Sequence, residues 1–191
     1  MPAITLETAQ DLLKFNPETG QLISFQRKSL PEQEFILYQL NDPVFAIQYL
    51  DDEKRYRQLN SNQTAQIEMT LQDDHLRMTF HHLADLDLDV EVNVNAGPNQ
   101  RFSRWNIALH NSSGLLITAV QFPFIVLPYH LGGVPGSEEL VYPFGSGALL
   151  KAPKPEQLAP DDPHTWQLNP ANGDITHYPG ITFAQFMAYY N

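Results

Sequence analysis

Nine side chains in the last third of the chain have types that could do chemistry together: Tyr129, His130, Glu138, Glu139, Tyr142, Phe144, Trp166, His177 and Tyr178. Aromatic rings beside carboxylates and imidazoles suit sugars. A pyranose presents apolar C–H faces that stack on rings, and hydroxyls that pair with carboxylate, histidine and backbone groups. Concave sites in general combine such apolar walls with a few polar anchors. Tyr129, His130, Tyr142, Phe144, Trp166 and Tyr178 are therefore the expected carbohydrate-binding residues. The competing reading has the same rings plugging the ends of a β-fold, a common place for large side chains.

Other constellations dissolve when their spacing is checked. Glu138-Glu139 and Asp161-Asp162 are acid pairs, and paired carboxylates are the signature of glycoside hydrolysis. The two catalytic acids of such a site face each other from different loops, however, so sequence adjacency points to solvated acids. Asp85, Asp87 and Asp89 alternate like cation ligands, yet a calcium loop opening at Asp85 needs glycine at its sixth position, where Val90 stands. They read as the solvated face of a strand. His81 and His82 would point to opposite faces of a strand and cannot share one ion without a bulge. The remaining histidines are scattered singly. Gly145-Ser146-Gly147 lacks the third glycine and the strand-to-helix transition of a dinucleotide loop, and Ser146 has no Gly-x-Ser-x-Gly elbow around it. Without cysteine there is no thiolate zinc site and no thiol nucleophile. No metal, no cofactor and no catalytic residue is assigned.

At 191 residues the chain fits one large domain, and a chain of this length buries roughly 70% of its unfolded surface without staples. Its formal charge of -11 repels phosphate, which argues against nucleic acid as a partner. The start MPAITLETAQ lacks the basic and apolar regions of a secretory leader, and no apolar run reaches the ~18 residues of a membrane helix. The expectation is a cytoplasmic or processed protein with no membrane partner. Asn62-Gln63-Thr64 and Asn111-Ser112-Ser113 fit the glycosylation pattern but read as turn residues.

Two-residue periodicity must position whatever site there is. Leu86, Leu88, Val90, Val92 and Val94 alternate with Asp87, Asp89, Glu91 and Asn93, the pattern of a half-buried strand. Ile67–Leu71 and Leu76–Phe80 alternate on either side of Gln72-Asp73-Asp74-His75 and read as a hairpin. Leu12–Phe15 and Leu22–Phe25 make another around Asn16-Pro17-Glu18-Thr19-Gly20. Trp105, Ile107 and Leu109 mark a strand, Leu115–Val126 a further one with Pro123 requiring an edge or bulge, and Glu34–Tyr38 a short one. The whole predicts an all-β fold, a two-sheet antiparallel sandwich forming a single domain over residues 1–191.

From Pro128 the sequence turns rich in glycine and proline. Lys151–Ala171 is long enough to be a site-forming excursion or a floppy insert. The chain then stops within Phe186-Met187-Ala188-Tyr189-Tyr190, a strand-forming segment, which suggests the N-terminal part of a longer polypeptide; the alternative is the last strand of a self-contained sandwich.

The order of several short motifs carries a resemblance. The Phe-Asn-Pro-Glu-Thr-Gly-Gln-Leu hairpin, Arg104-Trp105-Asn106-Ile107-Ala108-Leu109-His110-Asn111, Val120-Gln121-Phe122-Pro123, Val141-Tyr142-Pro143-Phe144-Gly145-Ser146-Gly147-Ala148, Tyr178-Pro179-Gly180 and Phe183–Tyr190 together resemble the N-terminal β-sandwich of bacterial glycoside-hydrolase-related proteins. The resemblance implies a galactose-mutarotase-like supersandwich that precedes a catalytic (β/α)₈ barrel. It implies an accessory, carbohydrate-associated role: non-catalytic alone, packed on the following catalytic domain, and able to line one wall of its sugar cleft. Fold analogy does not license an activity. A free-standing mutarotase-type epimerase, with His130, Glu138 or His177 as acid and base, and a plain interaction module are the alternatives.

Overall fold

A computed structural model of the chain describes residues 2–128, 136–142, 148–152 and 188–190. The chain divides into two compact units, Met1–Leu127 and Pro128–Asn191, parted where the glycine- and proline-rich sequence begins. Strands of the first unit are β1 Ile4–Glu7, β2 Asp11–Phe15, β3 Leu22–Arg27, β4 Leu30–Glu34, β5 Ala46–Leu50, β6 Tyr56–Asn60, β7 Gln66–Gln72, β8 His75–His81, β9 Leu88–Asn95, β10 Arg104–Asn111 and β11 Leu116–Gln121. The second unit contributes β12 Glu139–Tyr142, β13 Ala148–Lys151 and β14 Ala188–Tyr190. All pairing among them is antiparallel, and the fold is all-β.

The expected alternation builds the main sheet, ordered β10-β9-β8-β7. Leu88, Val90, Val92 and Val94 of β9 are fully buried, as are Leu76, Met78 and Phe80 of β8, while the residues between them face outward. The β7–β8 turn is the expected one, closing on Asp73 with φ of 51°. Two further sheets, four-stranded β1-β2-β3-β4 and three-stranded β11-β5-β6, supply the rest of one continuous core through Leu6, Leu13 and Phe15 and through Phe45, Ile47 and Leu59. Aromatic contacts join the sheets: Phe45 meets Phe80 edge-on at 5.0 Å, and Phe15 lies 5.5 Å from Trp105. Phe15, Phe45 and Phe80, fully buried, each contribute about 1.5–3 kcal/mol by leaving water.

Three details depart from the sequence pattern. The strand expected at Glu34–Tyr38 lies earlier, at Leu30–Glu34, because Glu34 ends the ladder with its own side chain. Its Oε1 accepts the N–H groups of Phe25, Phe35 and Ile36 at 2.6, 3.1 and 3.3 Å, and its Oε2 accepts the Ser24 hydroxyl at 2.7 Å. The run Leu115–Val126 is a strand only from Leu116 to Gln121; the Phe122–Pro123 peptide is cis, and Phe124 and Ile125 are exposed. The hairpin β5–β6 and strand β1 were not legible in the alternation. Between β5 and β6, Asp51 closes the turn by accepting the N–H groups of Glu53 and Arg55 and pairing with the Arg55 and Arg57 guanidinium groups at 3.0 Å, contacts that hold its carboxyl well below the usual range.

In the second unit β12 is the central strand of a three-stranded sheet, flanked by β13 and β14. Ala188–Tyr190 of the C-terminal apolar run is thus a paired strand.

Candidate functional site

The first unit carries a groove where the β2–β3 turn, residues 36–44 and residues 123–126 meet. It is shallow and open to solvent, with a sheltered volume of only about 30 Å³. Buried Gly20, Gln21, Ile36 and Val44 form its base together with half-buried Trp105; exposed Leu37, Tyr38, Gln39, Phe124 and Ile125 form its rims. Leu37 N–H donates to Val126 O at 2.7 Å and Phe124 N–H to Val44 O at 3.0 Å, so backbone bonds tie the two rims to each other and to the base.

The base follows from the Asn16–Gly20 turn. Asn16 Oδ1 accepts the Glu18 N–H at 2.8 Å, Pro17 presets its own φ, and Gly20 N–H returns to Asn16 O at 2.9 Å. Gly20 has φ of +73°, and a Cβ there would stand 3.0 Å from Met78 Sδ and 3.1 Å from Phe80 Cζ. Only glycine lets the turn lie on the core at that point.

Gln21, buried beside it, spends its whole amide on the wall. Nε2 donates to Asp42 O and to Gln39 O (3.3 Å); Oε1 accepts the Thr19 hydroxyl (2.9 Å) and the Tyr38 hydroxyl (3.4 Å). Trp105 is fixed as well, its Nε1–H donated to Ser103 Oγ at 2.9 Å and its indole tilted against Phe15 and Phe122. The side chains of Gln39 and Asp42 make no hydrogen bond among the described residues, and no Lys, Arg or His is found among the described lining. The groove therefore offers apolar rings, an open amide and an open carboxylate. It holds no acid–base pair.

A second arrangement covers the outer face of the main sheet. Asp89 accepts the His82 N–H at 2.9 Å and meets His81 Nδ1 at 2.9 Å, and Glu68 lies 3.7 Å from His81 Nε2, which is buried and has no hydrogen-bond partner among the described residues. The Asp89 hydrogen bond raises the His81 pKa against the cost of burial, and the His82 N–H holds the Asp89 carboxyl low. Further along, Glu91 accepts from Asn93 at 2.7 Å and pairs with Arg77, which keeps its carboxyl low too. Asp89 and Glu91 thus lie on the expected strand face, cross-linked by side chains, whereas Asp85 and Asp87 precede β9, Asp85 in a short turn with φ of 61°, and His82 departs from the strand altogether with φ of 50°. Among the described residues no three His, Asp or Glu side chains gather into a metal cage.

Of the residues nominated from sequence, Tyr129, His130, Phe144, Trp166 and Tyr178 lie outside the described residues, and Tyr142 is described only as the last residue of β12, opposite Ala148. His177 also lies outside them. Glu138 is fully buried and accepts the Gly136 N–H at 2.9 Å; Glu139 opens β12. The residues the reading missed, Gln21, Tyr38, Gln39, Asp42 and Phe124, left weak signals: the Asn41-Asp42-Pro43 turn and an apolar run broken by Pro123.

No family model matches the chain, and no curated protein sequence does. Among the described residues no helix is long and apolar enough to cross a membrane.

Proposed function

We propose that the chain is an accessory, carbohydrate-associated β-sandwich of the galactose-mutarotase-like type: non-catalytic by itself, working beside a catalytic glycoside-hydrolase-like domain whose sugar cleft it can frame. One observation carries this reading. Leu37, Tyr38, Leu40, Phe124, Ile125 and Leu127 are all exposed, Leu40 by 72%, and belong to the two short segments that flank the groove. Exposed apolar side chains gathered in this way mark surfaces that a ligand or a neighbouring domain covers, whereas singly scattered ones need no explanation. The open amide and carboxylate among them suit hydroxyls better than a purely greasy contact.

The test is a glycan-array and calorimetric survey of the purified chain, run beside assays for glycoside hydrolysis and anomer interconversion. The reading expects sugar binding without turnover. Hydrolysis or mutarotation by the chain would overturn its non-catalytic part, and silence across the array would overturn its carbohydrate part.

A further inference from the structure

We infer that the groove of the first unit is itself a saccharide site, selective for neutral sugars over acidic ones, with Tyr38 and Phe124 as stacking surfaces and Gln39 and Asp42 as hydroxyl partners. The inference rests on the carbohydrate reading above and adds a location and a charge class to it.

Three features carry it. The groove is a built site: Gln21 is buried with every polar atom engaged, so the wall bearing Tyr38, Gln39 and Asp42 is fixed before any ligand arrives. Its rims leave Tyr38 and Phe124 partly exposed, 38% and 39%, and aromatic side chains beside a concavity are what a sugar C–H face stacks on. Its charge is one-sided. Asp42 is the sole charged side chain among the described lining, no cation balances it, and the chain as a whole carries -11. A phosphate or uronate would bring like charge beside Asp42 with no Arg or Lys to receive it, whereas hydroxyls can donate to that carboxylate and to the Gln39 amide oxygen.

The experiment is an ¹⁵N–¹H NMR titration of the intact chain with methyl glucoside, methyl galactoside and the two corresponding uronates, repeated with Phe124→Ala, Tyr38→Ala and Asp42→Asn. Neutral glycosides are expected to shift amides of residues 20–22, 37–42 and 124–126, to bind about tenfold more weakly after either ring is removed, and to outbind the uronates by a similar factor. Asp42→Asn should narrow the neutral-to-uronate gap. Mapping on the unmodified chain decides the location even if a variant fails to fold. Sugar binding that shifts other residues and ignores the substitutions overturns the groove assignment and leaves the carbohydrate reading standing; uronates bound as tightly as neutral glycosides overturn the selectivity; no binding of any sugar overturns both.

Discussion

Gln21 shows how much of the groove hangs on one side chain. Leucine in its place would fill the volume but strand the Asp42 carbonyl and take one partner from the Gln39 carbonyl, which keeps the Asp42 N–H at 3.1 Å, and from the Thr19 and Tyr38 hydroxyls. Unpartnered polar groups at a buried position cost about 1–3 kcal/mol, so Gln21→Leu should lower stability by about that much in urea denaturation and speed amide exchange over residues 38–42. A loss under about 0.5 kcal/mol would mean water replaces the amide without strain. The His81–Asp89 pair makes a prediction in pH. His81 has a folded pKa above the ordinary 6.5, so its stabilisation is complete below that value and is lost as pH rises through the raised one. Asp89 has a folded pKa below the ordinary 3.8, so its contribution is present above 3.8 and lost as pH falls through the lowered value. The pair is thus at full strength between 3.8 and 6.5 and declines on the alkaline side. His81→Gln should flatten the fall in urea midpoint above pH 6.5; an unchanged slope there would show that His81 does not govern it.

At the scale of elements, the sheets differ in what terminates them. β9 ends by continuing into a turn, with its alternation intact to Val94, whereas β4 ends because Glu34 takes three backbone donors onto one carboxylate oxygen. Past that cap Phe35 N–H still reaches Phe25 O at 2.9 Å, and residues 37–39 then form a groove rim. Glu34→Ala should therefore cost about 1–3 kcal/mol, the range for stranding partly buried donors and removing charge-assisted bonds, and should weaken sugar binding at the groove through the displaced rim. Denaturation compared with the NMR titration checks both effects. A stable variant with unchanged binding would make the cap incidental. The β5–β6 hairpin has a local cause of its own, since Asp51 gathers the turn around one carboxylate.

For the whole molecule, charge is the governing quantity. Acids outnumber bases 22 to 11, and self-repulsion of that excess opposes the compact state until salt screens it. Screening also weakens the exposed pairs such as Arg55–Glu53, but exposed pairs are worth only about 0–1 kcal/mol each. The melting temperature at neutral pH should accordingly rise between about 0.01 and 0.15 M salt, and a rise of about 2 °C would correspond to roughly 1 kcal/mol in a chain of this size. A fall on adding salt would show that the local pairs outweigh the net field.

Much of the architecture was readable because strand alternation is a local property. Val90 and Val92 declare a buried face by their spacing, and the Asn16–Gly20 and Asp73–Asp74 turns declare hairpins by residue type, whatever the rest of the chain does. The apolar and polar period of two therefore determined the all-β class and most strands of the main sheet. The groove could not be read this way. Gln21, Tyr38, Asp42, Trp105 and Phe124 come from four separate stretches, and their meeting depends on where Glu34 and Pro123 break the strands and on how three sheets share one core. Local spacing carries no information about such long-range convergence; the tertiary structure alone decided which aromatic residues face solvent together and which, like Phe80, are sealed in the core.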